Sequence, residues 1–208
     1  MRLTIFNLYS RLRTKFIAKK RIIDRYELSS DGSVIIDVSV EKIEDLYNYF
    51  DRKAPYLKKD LDQELADYLI DCVREIGNSG FIIRISLEHL RDEQRERVRK
   101  SIRNFFMYLD ELEHRKMRMM FRNSLMLFGV GLAILAVSIV LNKHISSSSS
   151  VVGTVFAEGL TIAAWVALWE ALATVLIEWY PRHRDILLYR SIAGSQVVFH
   201  RFPANENT

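Results

Sequence analysis

The chain has 208 residues, 49% of them hydrophobic, and a formal net charge of +4. This length allows one ordinary domain with accessory segments. The single cysteine, Cys72, excludes an intrachain disulfide and any site of the Cys-x-x-Cys type. Residues 1–122 are rich in charge whereas residues 124–141 carry none. We therefore expect one part of the chain to lie in water and another part to lie in an apolar environment.

The first segment, residues 1–25, is basic and amphipathic. Leu3, Phe6, Tyr9, Leu12 and Phe16 recur at helical spacing among basic residues. Such a segment could lie on an anionic membrane surface, or it could pack on a folded head with its lysines in solvent. It lacks the apolar core and cleavage site of a signal peptide. No nucleic-acid-binding motif accompanies its charge, so nucleic acid is not an expected partner.

Residues 26–122 predict a cytoplasmic α+β head, in which a small sheet packs with helices. Residues 35–43 resemble residues 82–90 at an offset of 47 positions. Each copy has a β-branched run typical of a strand, followed by the Ser and Glu that favour a helix start. The similarity could reflect duplication or chance convergence. Asp31-Gly32 predicts a turn, as in a hairpin.

Three helices are predicted in this head. Two of them lie between the similar copies, at residues 41–50 and in the region 58–76. Cys72 falls on the apolar stripe of the second helix, which indicates a core residue, and Asn78-Ser79-Gly80 is expected to close that helix. A third, stalk helix covers about residues 91–122. Because neither Gly nor Pro interrupts the pattern before Gly129, we expect the stalk to run into the next segment and to couple it to the head.

Residues 123–180 predict a transmembrane hairpin. Its spans are residues 124–143 and 160–179, each about as long as a bilayer core requires. A Ser-rich exoplasmic loop, residues 144–159, joins them. Two buried helices of a soluble domain are the alternative. Pro181 is expected to end or bend the second helix. The last segment, 181–208, would be cytoplasmic and add a strand near residues 195–202 to the sheet.

Basic residues flank both spans on one side, which places both termini in the cytoplasm by the positive-inside rule. The predicted location is a membrane that the chain crosses more than once. The bilayer is therefore an expected partner. The expected interfacial anchors are Arg115, Lys116, Arg118, Arg122, Trp179, Tyr180, Arg182 and Arg184.

An acidic residue near the middle of the second span, Glu170, needs an explanation because a bare charge in lipid is costly. We expect it to point into a helix–helix seam, within one chain or between copies. The small residues predicted to pack in that seam are Gly129, Ala133, Ala136, Ala163, Ala167 and Ala171. Glu170 could be a protonated carboxyl bonded across the seam. Alternatively, Glu170 and Glu158 could line an ion path in an oligomer.

The second span carries an EGL at residues 158–160, a WVA-x-W at 165–169 and an E-W-Y-P exit at 178–181. In this pattern the chain resembles uncharacterised bacterial membrane proteins with two transmembrane helices. Those proteins often have a basic residue and a proline after the second tryptophan, where this chain has Glu170 and Ala171. The resemblance implies a membrane hairpin and carries no known activity, and with it we expect the chain in the inner membrane of a bacterium.

No P-loop, dinucleotide, zinc-protease or hydrolase motif occurs, and the five histidines have no ligand spacing. We therefore expect no catalytic residues, no metal site and no cofactor. The favoured function is a non-enzymatic, self-associating anchor, scaffold or sensor whose head binds a cytosolic protein. The alternative is a small oligomeric ion channel or transport component; an enzyme acting on lipid ranks third.

Overall fold

A computed structural model describes residues 23–51, 55, 59–87, 91–145 and 151–201. The chain divides into two compact units. We call Met1–Leu109 with Leu187–Thr208 the sheet unit, and Asp110–Ile186 the two-helix unit. Most of the basic segment 1–25, the serine run 146–150 and the tail beyond residue 201 lie outside the described residues, so the predictions for them stay predictions.

The sheet unit contains a small mixed sheet of four strands in the order β1-β2-β3-β4. The strands are Glu27–Leu28, Val34–Ser39, Phe81–Leu87 and Gln196–Arg201. β1 runs antiparallel to β2, whereas β2, β3 and β4 are parallel. The strand predicted near residues 195–202 is therefore confirmed. Because β4 pairs with β3, the whole segment between Leu87 and Gln196 is an insertion that leaves the sheet and returns to it.

A tight turn joins β1 to β2, as the Asp31-Gly32 pair predicted. Gly32 has a φ of 82°, a left-handed conformation that glycine adopts without a steric penalty. The Ser33 amide donates to Asp31 Oδ1 at 3.0 Å, so the aspartate closes the turn on its own backbone.

One face of the sheet forms the core. Val34, Ile36 and Val38 are buried while the residues between them are not, which is the alternation of a strand with one covered face. Helix α1, Gln63–Ile76, packs on the same core and begins where Asp62 accepts from two backbone amides. It ends at Gly77, with a φ of 67°, three residues before Gly80 of the predicted closing triplet.

The helix predicted at residues 41–50 is not formed. Two 3-10 helices replace it, Ile43–Leu46 and Tyr49–Asp51. Between them Tyr47 is extended and forms an antiparallel bridge with Leu61. Leu46 and Tyr47 are both buried, so tertiary packing of two adjacent residues overrides the helical pattern.

Two long helices complete the fold. Helix α2 is continuous over Asp92–Ile145, as the uninterrupted pattern predicted, and α3 covers Val151–Ala193. The predicted loop 144–159 is thus too long, because residues 151–159 are helical. Pro181 does not end α3. Residues beyond it, including Ile192, are buried in the sheet unit's core, and this burial stabilises the helix despite the missing backbone donor.

Candidate functional site

The seam of the two-helix unit is built from small residues that recur every seven positions. The most buried positions of the seam fall on one stripe of each helix, and these are Ser124, Gly131, Ser138, Ala157, Ala164 and Ala171. A seven-residue repeat keeps a stripe of one helix facing its partner. Small side chains on that stripe let the two backbones approach closely, as in pairs of membrane helices.

The two helices approach each other closely at Gly131. A Cβ atom built at this position would lie 3.0 Å from Leu168 Cγ and 3.2 Å from the Leu168 backbone nitrogen. Real Cβ atoms rarely approach that closely, so only glycine fits without a shift of α3. At Gly129, by contrast, an added Cβ meets no atom within 4 Å.

Hydrogen bonds join the helices at the other end of the seam. Ser138 is fully buried, and its Oγ donates to the Ala157 carbonyl at 3.0 Å. Thr161 Oγ1 lies within hydrogen-bonding distance of both Ser138 Oγ and the same carbonyl oxygen, at 3.0 Å from the carbonyl, so one hydroxyl can donate to the carbonyl while the other donates to its neighbouring hydroxyl. These side chains satisfy one another inside an apolar pair of helices, where an unpaired hydroxyl would be costly.

The small residues predicted to pack across the seam lie mostly elsewhere. Gly129, Ala133, Ala136 and Ala163 are exposed, Ala167 is half-buried, and Ala171 alone of this set is buried. Four of the six residues therefore lie outside the seam of one chain, and their packing between copies stays a prediction. The seven-residue recurrence of Ser and Gly at 124, 131 and 138 was the sequence signal that could have identified the correct face.

Glu170 and Glu158 are both exposed on α3. Glu170 adjoins the seam residue Ala171 but lies outside the contact between the two helices, so it does not point into the intrachain seam as expected. Packing between copies stays a prediction. An exposed carboxylate in an apolar segment must find a polar partner, take up a proton or reach water.

Three of the predicted interfacial anchors, Arg115, Lys116 and Arg182, lie in two ion-paired groups. Arg115 pairs with Glu111 at 2.6 Å, and Lys116 with Glu113 at 2.6 Å. Arg182 bridges Glu178 at 3.0 Å and Glu113 at 3.6 Å, so Glu178 pairs within its own helix. Arg118 and Arg122 are exposed, and no described carboxylate lies within 4 Å of either.

The aromatic anchors lie beside the same groups. Trp179 stacks on His183 with ring centroids 5.3 Å apart and an angle of 9° between the planes. Tyr180 and Arg184 are exposed. Outside the membrane-spanning region, the hydrogen bond from Arg115 holds the pKa of Glu111 below its usual value. This end of the unit is thus rich in charge and in aromatic rings.

A half-open groove of about 410 Å³ runs along one side of the two helices. Its walls are almost wholly apolar, and four aromatic side chains line it: Phe121, Phe128, Trp165 and Trp169. Ser124 lies on the seam side of the groove, and its Oγ has no hydrogen-bond partner among the described residues. Neither the groove nor Ser124 was identified from the sequence.

The open face of the sheet carries a charged cluster. Arg84 of β3 has its Nη2 2.9 Å from Asp37 Oδ2 of β2, and its guanidinium also pairs with Glu27 of β1, so the cluster links three strands. Hydrogen bonds to Asp37 and then to Glu27 raise the pKa of Arg84 above its already high ordinary value. The charged groups of this cluster pair with one another, which favours a role in setting the strand register over a role in catalysis.

No arrangement for catalysis emerges in the part of the chain that is described. It contains no group of three His, Cys, Asp or Glu side chains that could hold a metal ion. Cys72 is buried in the sheet unit's core, as its position on an apolar stripe predicted. A buried thiol of this kind behaves as a small apolar side chain.

Comparison of the chain with protein-family models, with curated proteins and with solved structures gives no match in any of the three. The resemblance to two-span bacterial membrane proteins therefore stays a prediction. Both helices are long and apolar enough to span a membrane.

Proposed function

We propose that this chain is a non-enzymatic integral membrane protein. In it the two-helix unit is a transmembrane hairpin, and the sheet unit is a cytoplasmic head that binds a protein partner. One observation carries the proposal: only 17% and 11% of the most apolar windows of α2 and α3 are buried within the chain. A core helix of a soluble protein would be mostly buried. These helices instead present their apolar side chains outward, as lipid requires.

The connectivity of the sheet supports a hairpin rather than a single span. β3 precedes both long helices and β4 follows them, yet the two strands pair along six positions. A chain that crosses a bilayer between these strands must cross it an even number of times. Two helices satisfy this condition. The basic residues at the ends of the helices nearest to the strands support placement of the sheet unit in the cytoplasm.

The first experiment is a topology test on the full chain produced in bacteria. The protein should remain in the membrane pellet after alkaline carbonate extraction. A membrane-impermeant maleimide should label Ser148→Cys in intact cells, and it should label Ser29→Cys only after lysis. The wild-type chain is the control, because its Cys72 is buried. Recovery of the protein in the soluble fraction would rule out the proposal.

Self-association is proposed because Glu170 is exposed on an apolar helix. A central acidic residue that faces lipid costs roughly 2.5–3.5 kcal/mol on translocon scales. Contact between copies would remove the Glu170 carboxylate from lipid and so avoid this cost. The mass of the detergent-solubilised protein, measured by light scattering with correction for bound detergent, tests this directly. A monomer would contradict it.

An ion channel or transport component is the second candidate, favoured by the exposure of Glu170 and Glu158 on the same helix. Several copies would then line a pore with these carboxylates. Reconstituted liposomes should show cation flux, and Glu170→Gln should alter its rate or selectivity. An absence of flux through wild-type protein of proven oligomeric state would exclude this candidate and leave the anchor proposal intact.

A further inference from the structure

The aromatic groove of the two-helix unit ends next to two exposed arginines, Arg118 and Arg122. Arg118 lies seven residues before Leu125, which lines the groove, and a shift of seven residues turns a helix by only about 20°. Arg118 therefore lies on the same face of α2 as Leu125, two turns before it and three residues before Phe121, where the groove begins on this helix. Arg122 lies one turn below Leu125 on the adjoining face. Both are exposed, and among the described residues neither has a carboxylate within 4 Å. A side-chain hydrogen bond lowers the pKa of Glu111, and at longer range the charge of Arg118 helps to lower it.

The α3 side of the groove ends in aromatic rings. Trp179 follows the groove residue Leu172 by seven positions and so lies on the same face of α3. It stacks on His183, which extends the face by one further turn. Tryptophan at the end of a transmembrane helix marks the level of lipid headgroups. The groove thus changes from apolar to cationic and aromatic over about two helical turns.

Ser124 supplies a polar group inside the groove. Its side chain is 6% exposed, and its Oγ has no hydrogen-bond partner among the described residues. A desolvated hydroxyl without a partner is unfavourable, so its place against a groove points to a ligand that carries an acceptor. Along α2, Ser124 lies between Arg118 and the aromatic wall residue Phe128.

We propose that the groove binds an anionic phospholipid of the cytoplasmic leaflet. One acyl chain lies among the rings of Phe128, Trp165 and Trp169. The ester carbonyl accepts from Ser124 Oγ, and the phosphate contacts the guanidinium groups of Arg118 and Arg122. The site rests on the proposed membrane placement of the two-helix unit.

Charge favours a lipid over a second copy of the chain as the occupant. In a bilayer a second copy would have the same orientation, and its cationic end would lie at the level of Arg118 and Arg122. The exposed guanidinium groups of Arg118 and Arg122 in one copy would then face those of the other copy, and repulsion between like charges makes this unfavourable. An anionic headgroup supplies the missing negative charge, and a single lipid supplies both the charge and the apolar chain.

Tryptophan fluorescence tests the site, because all three tryptophans of the chain, Trp165, Trp169 and Trp179, line the groove or lie at its end. The full-length protein is placed in nanodiscs of mixed phosphatidylglycerol and phosphatidylcholine. In one series only the phosphatidylglycerol carries bromine on its acyl chains, and in the other only the phosphatidylcholine does. Bromine quenches tryptophan on contact, so the ratio of the two signals reports which lipid occupies the groove.

We expect stronger quenching by the brominated phosphatidylglycerol. The apparent preference should fall about fivefold for each of Arg118→Gln and Arg122→Gln, the ratio that corresponds to about 1 kcal/mol per basic residue at an anionic surface. Arg115→Gln is the matched control, since Arg115 is already paired with Glu111, and it should change the preference little. Val175→Phe, which fills the groove from α3, should reduce quenching by both lipids.

Equal quenching by the two lipids, or a preference that survives both arginine substitutions, would overturn the lipid site while leaving the membrane placement intact. Disulfide cross-linking between two copies that carry Leu125→Cys, absent in the wild type, would put a second copy in the groove and also overturn the site. No quenching by either lipid would instead place the tryptophans outside the bilayer and refute the proposed function itself.

Discussion

Arg84 and Asp37 lie opposite each other on adjacent parallel strands and form an ion pair, with Nη2 2.9 Å from Oδ2. They are 47 residues apart, which is the offset between the two similar segments of the sequence. The similarity is therefore also the pairing register of β2 and β3. From residue 35 to residue 39, each residue of the first segment faces its counterpart at 82–86 in the second, and the charged residue of one segment pairs with that of the other.

This pair should contribute modestly to the stability of the sheet unit. A double-mutant cycle of Arg84→Met and Asp37→Asn should give a coupling free energy of about 0.5–1 kcal/mol, at the upper end for partly exposed pairs. Arg84 is bidentate and only 24% exposed, which favours this upper value. The exposed pair Arg74–Asp71 is the control and should couple by about 0.3 kcal/mol. Urea unfolding of the full chain in detergent measures both cycles; equal values would contradict the argument.

The helix seam predicts opposite effects for two nearby glycines. Gly131→Leu should destabilise the pairing of α2 and α3 by about 1–3 kcal/mol or more, because its Cβ alone would collide with Leu168. Gly129→Leu should be close to neutral, since that position is open. Titration of the micellar protein with sodium dodecyl sulfate, followed by tryptophan fluorescence, gives the two midpoints. A larger loss at residue 129 would show that the seam is on the other face.

Ser138 should be the most sensitive hydroxyl of the seam. Ser138→Ala removes its bonds to Ala157 and Thr161, and bonds of this kind in membrane helices contribute about 0.6 kcal/mol on average and up to about 1.7. Thr174→Ala is the matched control, because Thr174 bonds only the carbonyl of Glu170 in its own helix. The same titration should show a measurable shift for residue 138 and little change for residue 174.

The two faces of β4 should respond differently to a polar substitution. Val197 is buried in the core while Val198 is half-buried on the other face of the strand. Val197→Thr should cost about 1–3 kcal/mol, since it buries a hydroxyl with no assigned partner. Val198→Thr should cost little, because threonine suits a partly exposed strand position. Thermal unfolding of the full chain in detergent, followed by circular dichroism, compares them.

Tyr68 should report the fold through its titration. Burial, and then a hydrogen bond with Cys72, raises the pKa of Tyr68 from 10.0 to about 12. The neutral phenol is therefore favoured in the fold, and its contribution to stability is complete below about pH 10 and lost as the pH rises to about 12. The effect on stability should be small because the residue is nearly half exposed. The difference in absorbance at alkaline pH between wild type and Tyr68→Phe measures this titration, and a midpoint near 10.0 would contradict it.

The local sequence pattern was sufficient to predict those helices and strands whose tertiary packing is compatible with their local preference. The β-branched runs became β2 and β3, the stripe that contains Cys72 became α1, and the uninterrupted pattern after Asp92 became one helix. Residues 41–50 show the opposite case. Their helical spacing was real, but burial of Leu46 and Tyr47 against Leu61 required an extended residue in the middle.

At the candidate site, too, the sequence predicted the helices but not the contact between them. The sequence alone determined that two apolar segments of membrane-spanning length exist, because length and hydropathy are local properties. It could not determine which face of each helix meets the other. With 3.6 residues per turn, a helix rich in Gly, Ala and Ser carries small residues on several faces, and only the partner's position selects one of them. The tertiary structure selected Ser124, Gly131 and Ser138 over Gly129 and Ala133, and by that choice it created the groove beside them.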